Sequence, residues 1–106
     1  MYLQIQISTP SKEESQKIIQ QLLEERLIAC GQIIGPITSM YHWKDKIEQS
    51  EEYLCLLKTT KSVYPILEKR VHALHSYEVP EIIATEITKG HPDYLKWIKT
   101  EVKDIE

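Results

Sequence analysis

Residues 33–60 read IIGPITSMYHW, then KDK, then IEQSEEYLCLLKTT, and this stretch decides the fold. Both long runs are rich in β-branched and aromatic residues, and the polar Lys44-Asp45-Lys46 between them predicts the tip of a hairpin. Gly35-Pro36 predicts a bulge or bend, because proline cannot donate to a central ladder. We therefore expect strands over Ile33–Trp43 and Ile47–Thr60, joined as one long β-hairpin.

One strand and one helix precede the hairpin. The alternation of Tyr2–Ser8 predicts a half-buried strand. Ser11, with Glu14 three residues later, predicts a capping box at a helix start. Gly31 lies past the expected end of that helix. Its apolar stripe has helical spacing and comprises Ile18, Ile19, Leu22, Leu23 and Leu27.

A second helix and strand follow, and then a final helix. We predict a helix over Lys61–Leu74, with Pro65 in its first turn, where proline is tolerated. Pro80–Thr88 predicts a strand and Asp93–Lys103 a helix. The order βαββαβ, plus a C-terminal helix, indicates an α+β ferredoxin-like sandwich. A chain of 106 residues is expected to form one domain, residues 1–106.

The run Tyr53–Leu57 is apolar on both faces of its strand. In a ferredoxin-like sandwich both main helices cover one face of the sheet. A strand that is apolar on both faces requires cover on both. The second cover is predicted to come from another subunit, so the pattern indicates an oligomer.

Composition and charge exclude several partners. The net charge is −3 and no basic run occurs, so a nucleic-acid partner is not expected. The apolar runs are too short for a membrane span. The N-terminus lacks a basic region followed by a long apolar core, so no signal peptide is expected. Cys30 and Cys55 lack paired spacing. We expect Cys55 to be buried, no intrachain disulfide, and a cytoplasmic location.

His75-Ser76-Tyr77-Glu78-Val79-Pro80-Glu81 is the strongest candidate for a ligand or metal site. His75 offers a nitrogen ligand suited to copper or zinc, and Glu81 or Glu78 offers carboxylate oxygen. These groups make an open, incomplete site that a neighbouring subunit would complete. Alternatively, His75 caps the helix C-terminus and the two glutamates form hydrogen bonds across an interface.

Other side chains are candidates for ligand binding. Trp43, Tyr41 and Trp97 would line a cavity between subunits or simply pack an interface. Lys58 would hold an anion or a neighbour's glutamate, or form a surface salt bridge. Tyr77 adds a phenol to the turn. No nucleophile elbow, P-loop, Rossmann glycine pattern or HExxH motif occurs, so an enzyme is not expected.

Five motifs resemble, in order and spacing, those of the CutA divalent-cation tolerance family. They are Glu25-Arg26-Leu27-Ile28-Ala29-Cys30, Thr38-Ser39-Met40-Tyr41-His42-Trp43, Leu57-Lys58-Thr59-Thr60, His75-Ser76-Tyr77-Glu78-Val79-Pro80-Glu81-Ile82 and Tyr94-Leu95-Lys96-Trp97. The resemblance implies a ferredoxin-like protomer in a tight homotrimer, with hairpins extended across neighbours. It also implies a cytoplasmic protein linked to tolerance of copper and other divalent ions. The architecture is similar to that of trimeric nitrogen-regulatory signal proteins, which is analogy at the level of the fold.

Three positions depart from the family's pattern. Asp45 stands where the hairpin tip usually has glycine. Ser76 stands where proline usually follows the histidine, which predicts a less rigid turn. Ser8 replaces a cysteine of some metal-binding members, which lowers the expected affinity for Cu(I).

The function predicted on these grounds is a trimeric cytoplasmic protein that binds copper or another divalent cation near the turn at residues 75–81. The alternative is a trimeric signalling or scaffold protein that binds a small metabolite or a partner protein.

Overall fold

The computed structural model describes residues 1–105 and has the predicted order of elements. The strands are β1 (Tyr2–Thr9), β2 (Cys30–Trp43), β3 (Lys46–Thr60) and β4 (Ile82–Ile87). The helices are α1 (Lys12–Glu24), α2 (Tyr64–Leu74) and α3 (Pro92–Glu101), and a 3₁₀ turn, Lys61–Val63, precedes α2. The four strands form one antiparallel sheet in the order β2-β3-β1-β4. The predicted α+β ferredoxin-like architecture with an added C-terminal helix is confirmed.

The core lies between the sheet and the helices. β1 is central and pairs with β3 from Tyr2↔Thr60 to Thr9↔Tyr53. Its alternate side chains are buried together with those of β3 and the apolar stripes of the helices. Each large side chain that is fully buried contributes about 1.5–3 kcal/mol. The largest are Ile5, Ile7, Ile18, Leu22, Leu27, Ile28, Leu57, Leu67 and Ile98.

Helix α1 ends earlier than its apolar stripe predicts. Arg26 takes the left-handed conformation, with φ of 59°. Its N–H donates to the Leu23 carbonyl at 3.1 Å, and the Leu27 N–H donates to the Leu22 carbonyl at 2.9 Å. This Schellman arrangement ends the helix and sends Leu27 into the core as the second residue beyond the C-cap, Glu25.

Gly31 lies past the end of α1, as predicted, and it also has a packing role. It lies inside β2 rather than in a connection after α1. A Cβ at this position would come within 2.9 Å of the Ile19 side chain of α1. The glycine therefore permits close packing of α1 on β2.

The remaining boundaries differ from prediction by one to three residues. The fourth strand begins at Ile82, after Pro80, and α3 begins at Pro92. His91 is the N-cap of α3, where its Nδ1 accepts from the Asp93 N–H at 3.2 Å. Pro65 lies in the first turn of α2, as predicted.

The β2–β3 hairpin extends beyond the body of the sheet. The register shifts between Ile34 and Ile37, which confirms the predicted irregularity at Gly35-Pro36. Beyond it, residues 37–52 form a two-stranded arm that makes the molecule elongated, 44 × 26 × 23 Å. Two strands alone are marginally stable in water. The arm nevertheless exposes four large apolar side chains, Met40, Tyr41, Trp43 and Ile47.

The tip of the arm supplies a direct test of turn chemistry. Lys44 and Asp45 both have positive φ, 51° and 64°, in the two-residue turn between Trp43 and Lys46. Glycine adopts this region without the Cβ penalty. We expect Asp45→Gly to stabilise the protein by about 0.5–1 kcal/mol, measured by chemical denaturation at fixed protein concentration. Asp45→Ala removes the same charge without relieving φ, so an equal gain from alanine would contradict this explanation.

The apolar run Tyr53–Leu57 divides between the two faces of the sheet. Cys55 and Leu57 are completely buried on the helix side, whereas Leu54 and Leu56 are partly exposed on the other face. Leu56 of β3 pairs with Gln6 of β1 on one side and with Gln32 of β2 on the other. Gln6 in turn pairs with Ile83 of β4. Ile83 is 51% exposed and Ile34 is 47% exposed. We name this surface the open face: Ile34, Leu54, Leu56 and Ile83.

The two cysteines lie on opposite faces of the sheet. Cys55 is buried, as predicted, and its burial raises the pKa of the thiol. Cys30 pairs with Lys58 across β2 and β3, whereas Ile33 pairs with Cys55. Because side chains alternate along a strand, the two thiols point apart. Among residues 1–105, no helix is both long and apolar enough to cross a membrane.

Candidate functional site

The turn at residues 75–81 is anchored through His75, whose side chain is completely buried. His75 is the C-cap residue of α2. Its Nε2–H donates to the Ser8 carbonyl at 2.7 Å, and its Nδ1 accepts from the Tyr77 N–H at 3.0 Å. An acceptor at Nδ1 requires the neutral ring with its proton on Nε2. Both ring nitrogens are therefore engaged within one protomer. His75 is the C-cap residue, as in the alternative interpretation, but its backbone N–H bonds to the Val71 carbonyl of α2 while its ring bonds to Ser8 and Tyr77.

Glu14 ties α1 to the same turn. The predicted capping box is only half formed, because the Ser11 Oγ accepts from the Glu14 N–H at 3.1 Å while the Glu14 carboxylate points elsewhere. That carboxylate accepts from both the N–H and the O–H of Ser76, at 2.9 Å each. Its Oε2 also lies 3.4 Å from the Nδ1 of His75. Two hydrogen bonds to Ser76 thus restrain a turn that lacks the usual proline.

Tyr77 connects the turn to β3. Its hydroxyl donates to the Glu52 carboxylate at 2.7 Å. Burial raises the pKa of the Tyr77 phenol well above its ordinary value, and the hydrogen bond to Glu52 raises it further. The phenol therefore remains a donor at physiological pH. Glu52 is only 7% exposed. Glu52 gives no signal in the sequence, because Glu51-Glu52 has the pattern of a solvated pair until the strand register is known.

A cavity of about 660 Å³ opens beside this turn, on the same side of the sheet as the open face. Three carboxylates line it, Glu52, Glu78 and Glu81, and so do three aromatic side chains, Tyr41, Trp43 and Tyr77. No lysine, arginine or histidine is among its lining residues within the described chain. A concave surface that is lined by negative charges and no positive ones attracts cations.

Glu81 and Glu78 differ in how firmly they are held. The Gln6 side-chain amide donates to Glu81 at 2.8 Å. The Glu78 carboxylate accepts no hydrogen bond from residues 1–105, while its backbone carbonyl faces His72 Nε2 at 3.2 Å. Glu81 is thus the carboxylate that is restrained by a hydrogen bond from within the protomer.

Two predicted ligand-binding residues lie outside this cavity. The Lys58 ammonium donates to Gln32 at 3.0 Å on the sheet surface. Trp97 packs on Tyr94 in α3, with ring centroids 5.6 Å apart. The structure therefore brings together Trp43, Tyr77, Glu78 and Glu81, with His75 beside them in the turn.

A larger groove, about 820 Å³, runs along α1 near its N-terminus. Polar side chains of the solvated helix face, such as Glu13, Gln16 and Gln20, form much of its wall. It contains neither the buried carboxylate nor the aromatic side chains of the other cavity, so we assign the candidate site to the cavity at the turn.

The fit of the cavity to a metal ion is partial. Within residues 1–105, no three histidine, cysteine, aspartate or glutamate side chains are placed to hold one ion. Glu78 and Glu81 provide oxygen, the donor that hard divalent cations prefer. Copper favours nitrogen, and His75 offers a nitrogen only after one of its hydrogen bonds opens. A complete donor set therefore requires groups from outside the protomer.

Comparisons with known proteins agree on one family. The family model described as CutA1 divalent ion tolerance protein matches residues 3–101. The divalent-cation tolerance protein CutA of Thermus thermophilus is 44% identical over 93 residues, which cover 88% of this chain and 90% of that protein. Mouse protein CutA is 40% identical over 92 residues, and this chain spans only 52% of its length. A solved structure of the Thermus thermophilus protein superposes with a TM-score of 0.95 at 41% identity, covering 97% of this chain and 100% of that one.

Proposed function

The chain belongs to the CutA1 divalent ion tolerance protein family, and we propose that it is a cytoplasmic homotrimer that binds copper or another divalent cation. Its role in tolerance is that of a binding protein rather than an enzyme. The observation that carries the proposal is the convergence of Glu52, Glu78 and Glu81 on one cavity without a basic side chain in its described lining.

The donors proposed for the cation are Glu81, Glu78 and His75. Glu81 is the first, because its hydrogen bond from Gln6 orders it in advance, and an ordered ligand loses less entropy on binding. His75 joins when the Tyr77 N–H releases its Nδ1, which costs about one hydrogen bond. A neighbouring subunit completes the donor set.

Trimer formation accounts for two surfaces that one protomer leaves uncovered. The open face carries partly exposed leucine and isoleucine side chains in the middle of the sheet. The hairpin arm carries exposed Met40, Trp43 and Ile47. Both features are explained if each arm lies across a neighbouring protomer and the three sheets pack together.

A fluorescence titration with copper tests the proposed site. Trp43 lines the cavity, so a Trp97→Phe background leaves one reporter at the site. We expect saturable quenching, weakened at least about tenfold by Glu81→Gln and less by Glu78→Gln, since losing a charged partner costs about 1.5–3 kcal/mol. His75→Gln is also expected to weaken binding, because it removes the ring nitrogen.

The matched controls are His42→Gln and Glu86→Gln, which make the same chemical changes at exposed positions outside the cavity. Both are expected to leave the isotherm unchanged. If a control weakens binding as much as Glu81→Gln, the site assignment is wrong. If quenching never saturates, cation binding at this cavity is refuted.

A second candidate function is favoured by the aromatic wall of the same cavity. Its volume, about 660 Å³, lies within the usual range of roughly 300–1,000 Å³ for small-molecule sites. Tyr41 and Trp43 offer ring faces to an organic group. In this alternative the trimer is a signalling or scaffold protein that binds a small metabolite. Mass spectrometry of the native trimer would detect a co-purifying molecule, and Trp43→Leu would release an organic ligand while sparing metal binding.

A further inference from the structure

A second cavity, of about 490 Å³, lies at the opposite end of β1 and β3. Tyr2 and Thr60 line it, whereas Ser8 and Glu52 line the first cavity. The six residue steps from Tyr2 to Ser8 separate the two by roughly 20 Å. The second cavity is therefore distinct from the candidate cation site.

Three lysines from separate parts of the chain converge on this cavity. Lys61 begins the 3₁₀ turn before α2, Lys99 lies in α3, and Lys103 follows α3. The only carboxylate that lines the cavity within the described chain is Asp104. Three ammonium groups against one carboxylate give a local positive charge, although the chain as a whole carries −3.

Nearby acidic side chains are already engaged with other partners. Glu101 in α3 pairs with Arg26 at 2.8 Å. Glu25, which Lys103 affects electrostatically, pairs with Arg70 at 2.8 Å. Across residues 1–105, no salt bridge involves any of the three lysines. Three ammonium groups in excess over the nearby carboxylates favour binding of an anion.

We propose that this cavity binds the phosphate ester of a small metabolite. Lysine ammonium groups recognise phosphate as point charges. The hydroxyls of Thr60 and Ser62 hydrogen-bond to each other at 3.2 Å and leave one O–H free as a further donor. The cavity is large enough for an organic group beyond the phosphate, and Tyr2 and Val102 give that group apolar surface.

The site gives the protein a second ligand of opposite charge to the cation. Tyr2 and Thr60 pair directly across β1 and β3, and the same two strands carry Ser8 and Glu52 to the cation cavity. A phosphorylated metabolite would therefore bind without competing for the carboxylates. The inference does not depend on whether the first cavity binds copper.

Calorimetry with phenyl phosphate and inorganic phosphate, in phosphate-free buffer at constant ionic strength, tests this site. We expect saturable binding of both, with phenyl phosphate tighter by up to about tenfold because its ring contacts apolar surface. The double variant Lys99→Gln/Lys103→Gln is expected to weaken phenyl phosphate at least about tenfold. Backbone amide shifts on binding are expected at residues 60–62 and 99–104.

The matched control is Lys44→Gln/Lys46→Gln, which removes the same charge from the exposed hairpin tip. It is expected to change affinity less than about twofold, because exposed charges more than a Debye length away are largely screened. Equal weakening by the control would mean nonspecific attraction and would overturn the proposal. Equal affinity for the two phosphates would overturn the ester assignment. Absence of saturable binding would overturn the site itself.

Discussion

We expect Leu56→Asp to convert the proposed trimer into folded monomers. Leu56 lies at the centre of the open face, between Gln6 and Gln32 on the neighbouring strands. Burying a leucine against another subunit contributes about 1.5–3 kcal/mol. The variant loses that contribution in each of three protomers and must also desolvate a carboxylate, which costs several kcal/mol more. Sedimentation would then report one chain, 12.4 kDa, in place of three.

The matched control for this experiment is Ile66→Asp. Ile66 is 43% exposed on α2, on the helix side of the sheet. The Ile66→Asp variant places the same charge at a site away from the open face, so it is expected to preserve the proposed trimer. Circular dichroism must show that Leu56→Asp remains folded. A trimeric Leu56→Asp variant would exclude the open face as the interface, and a monomeric unmodified protein would refute the trimer.

The second large effect is expected at His75. Replacement by alanine removes the donor to the Ser8 carbonyl and the acceptor for the Tyr77 N–H, and it leaves a void in place of a completely buried ring. A buried polar group without its partner costs about 1–3 kcal/mol. We therefore expect His75→Ala to lower the free energy of unfolding by about 3 kcal/mol, measured in denaturant at one protein concentration.

Two further variants identify the cause of this loss. His75→Asn retains an acceptor near the position of Nδ1, so it is expected to recover part of the stability. His72→Ala removes an exposed histidine whose contact, to the Glu78 carbonyl, is 3.2 Å long. It is expected to cost less than about 0.5 kcal/mol. If His75→Ala is as mild as His72→Ala, the buried hydrogen bonds do not anchor the turn.

This expectation changes how copper experiments on His75 are interpreted. A variant that loosens the turn also displaces Glu78 and Glu81, because they follow His75 within six residues. Loss of copper binding in His75→Ala alone therefore does not identify the ring as a ligand. His75→Gln, which retains a side-chain donor and acceptor, is the more informative variant.

Local patterns in the sequence were sufficient for most of the fold. Alternation in Tyr2–Ser8 and the apolar helical stripes identify the elements, because periods of 2 and 3.6 residues report directly which side chains face a core. Gly35-Pro36 indicated the bend and Lys44-Asp45-Lys46 the hairpin tip, because turn chemistry is also a local property of the sequence. The left-handed cap at Arg26 was missed, because a residue other than glycine there gives no sequence signal.

The candidate site was predictable only in part. The turn at residues 75–81 stands out because it concentrates an imidazole, a phenol and two carboxylates, and Trp43 was also identified. Glu52 was not, because its importance depends on Tyr77, which is 25 residues away in sequence. The partners of His75 were equally hidden, since its ring bonds to Ser8 across 67 residues.

Local periodicity and turn chemistry were therefore enough to predict the order of elements, the two apolar faces of β3 and the location of the turn. Only the tertiary structure decided that Leu56 rather than Leu57 lies on the open face, that both nitrogens of His75 are engaged, and that Lys61, Lys99 and Lys103 share one cavity. The physical reason is that periodicity is a property of neighbouring residues. Contacts between distant residues depend on strand register and helix packing, which form only when the whole core assembles.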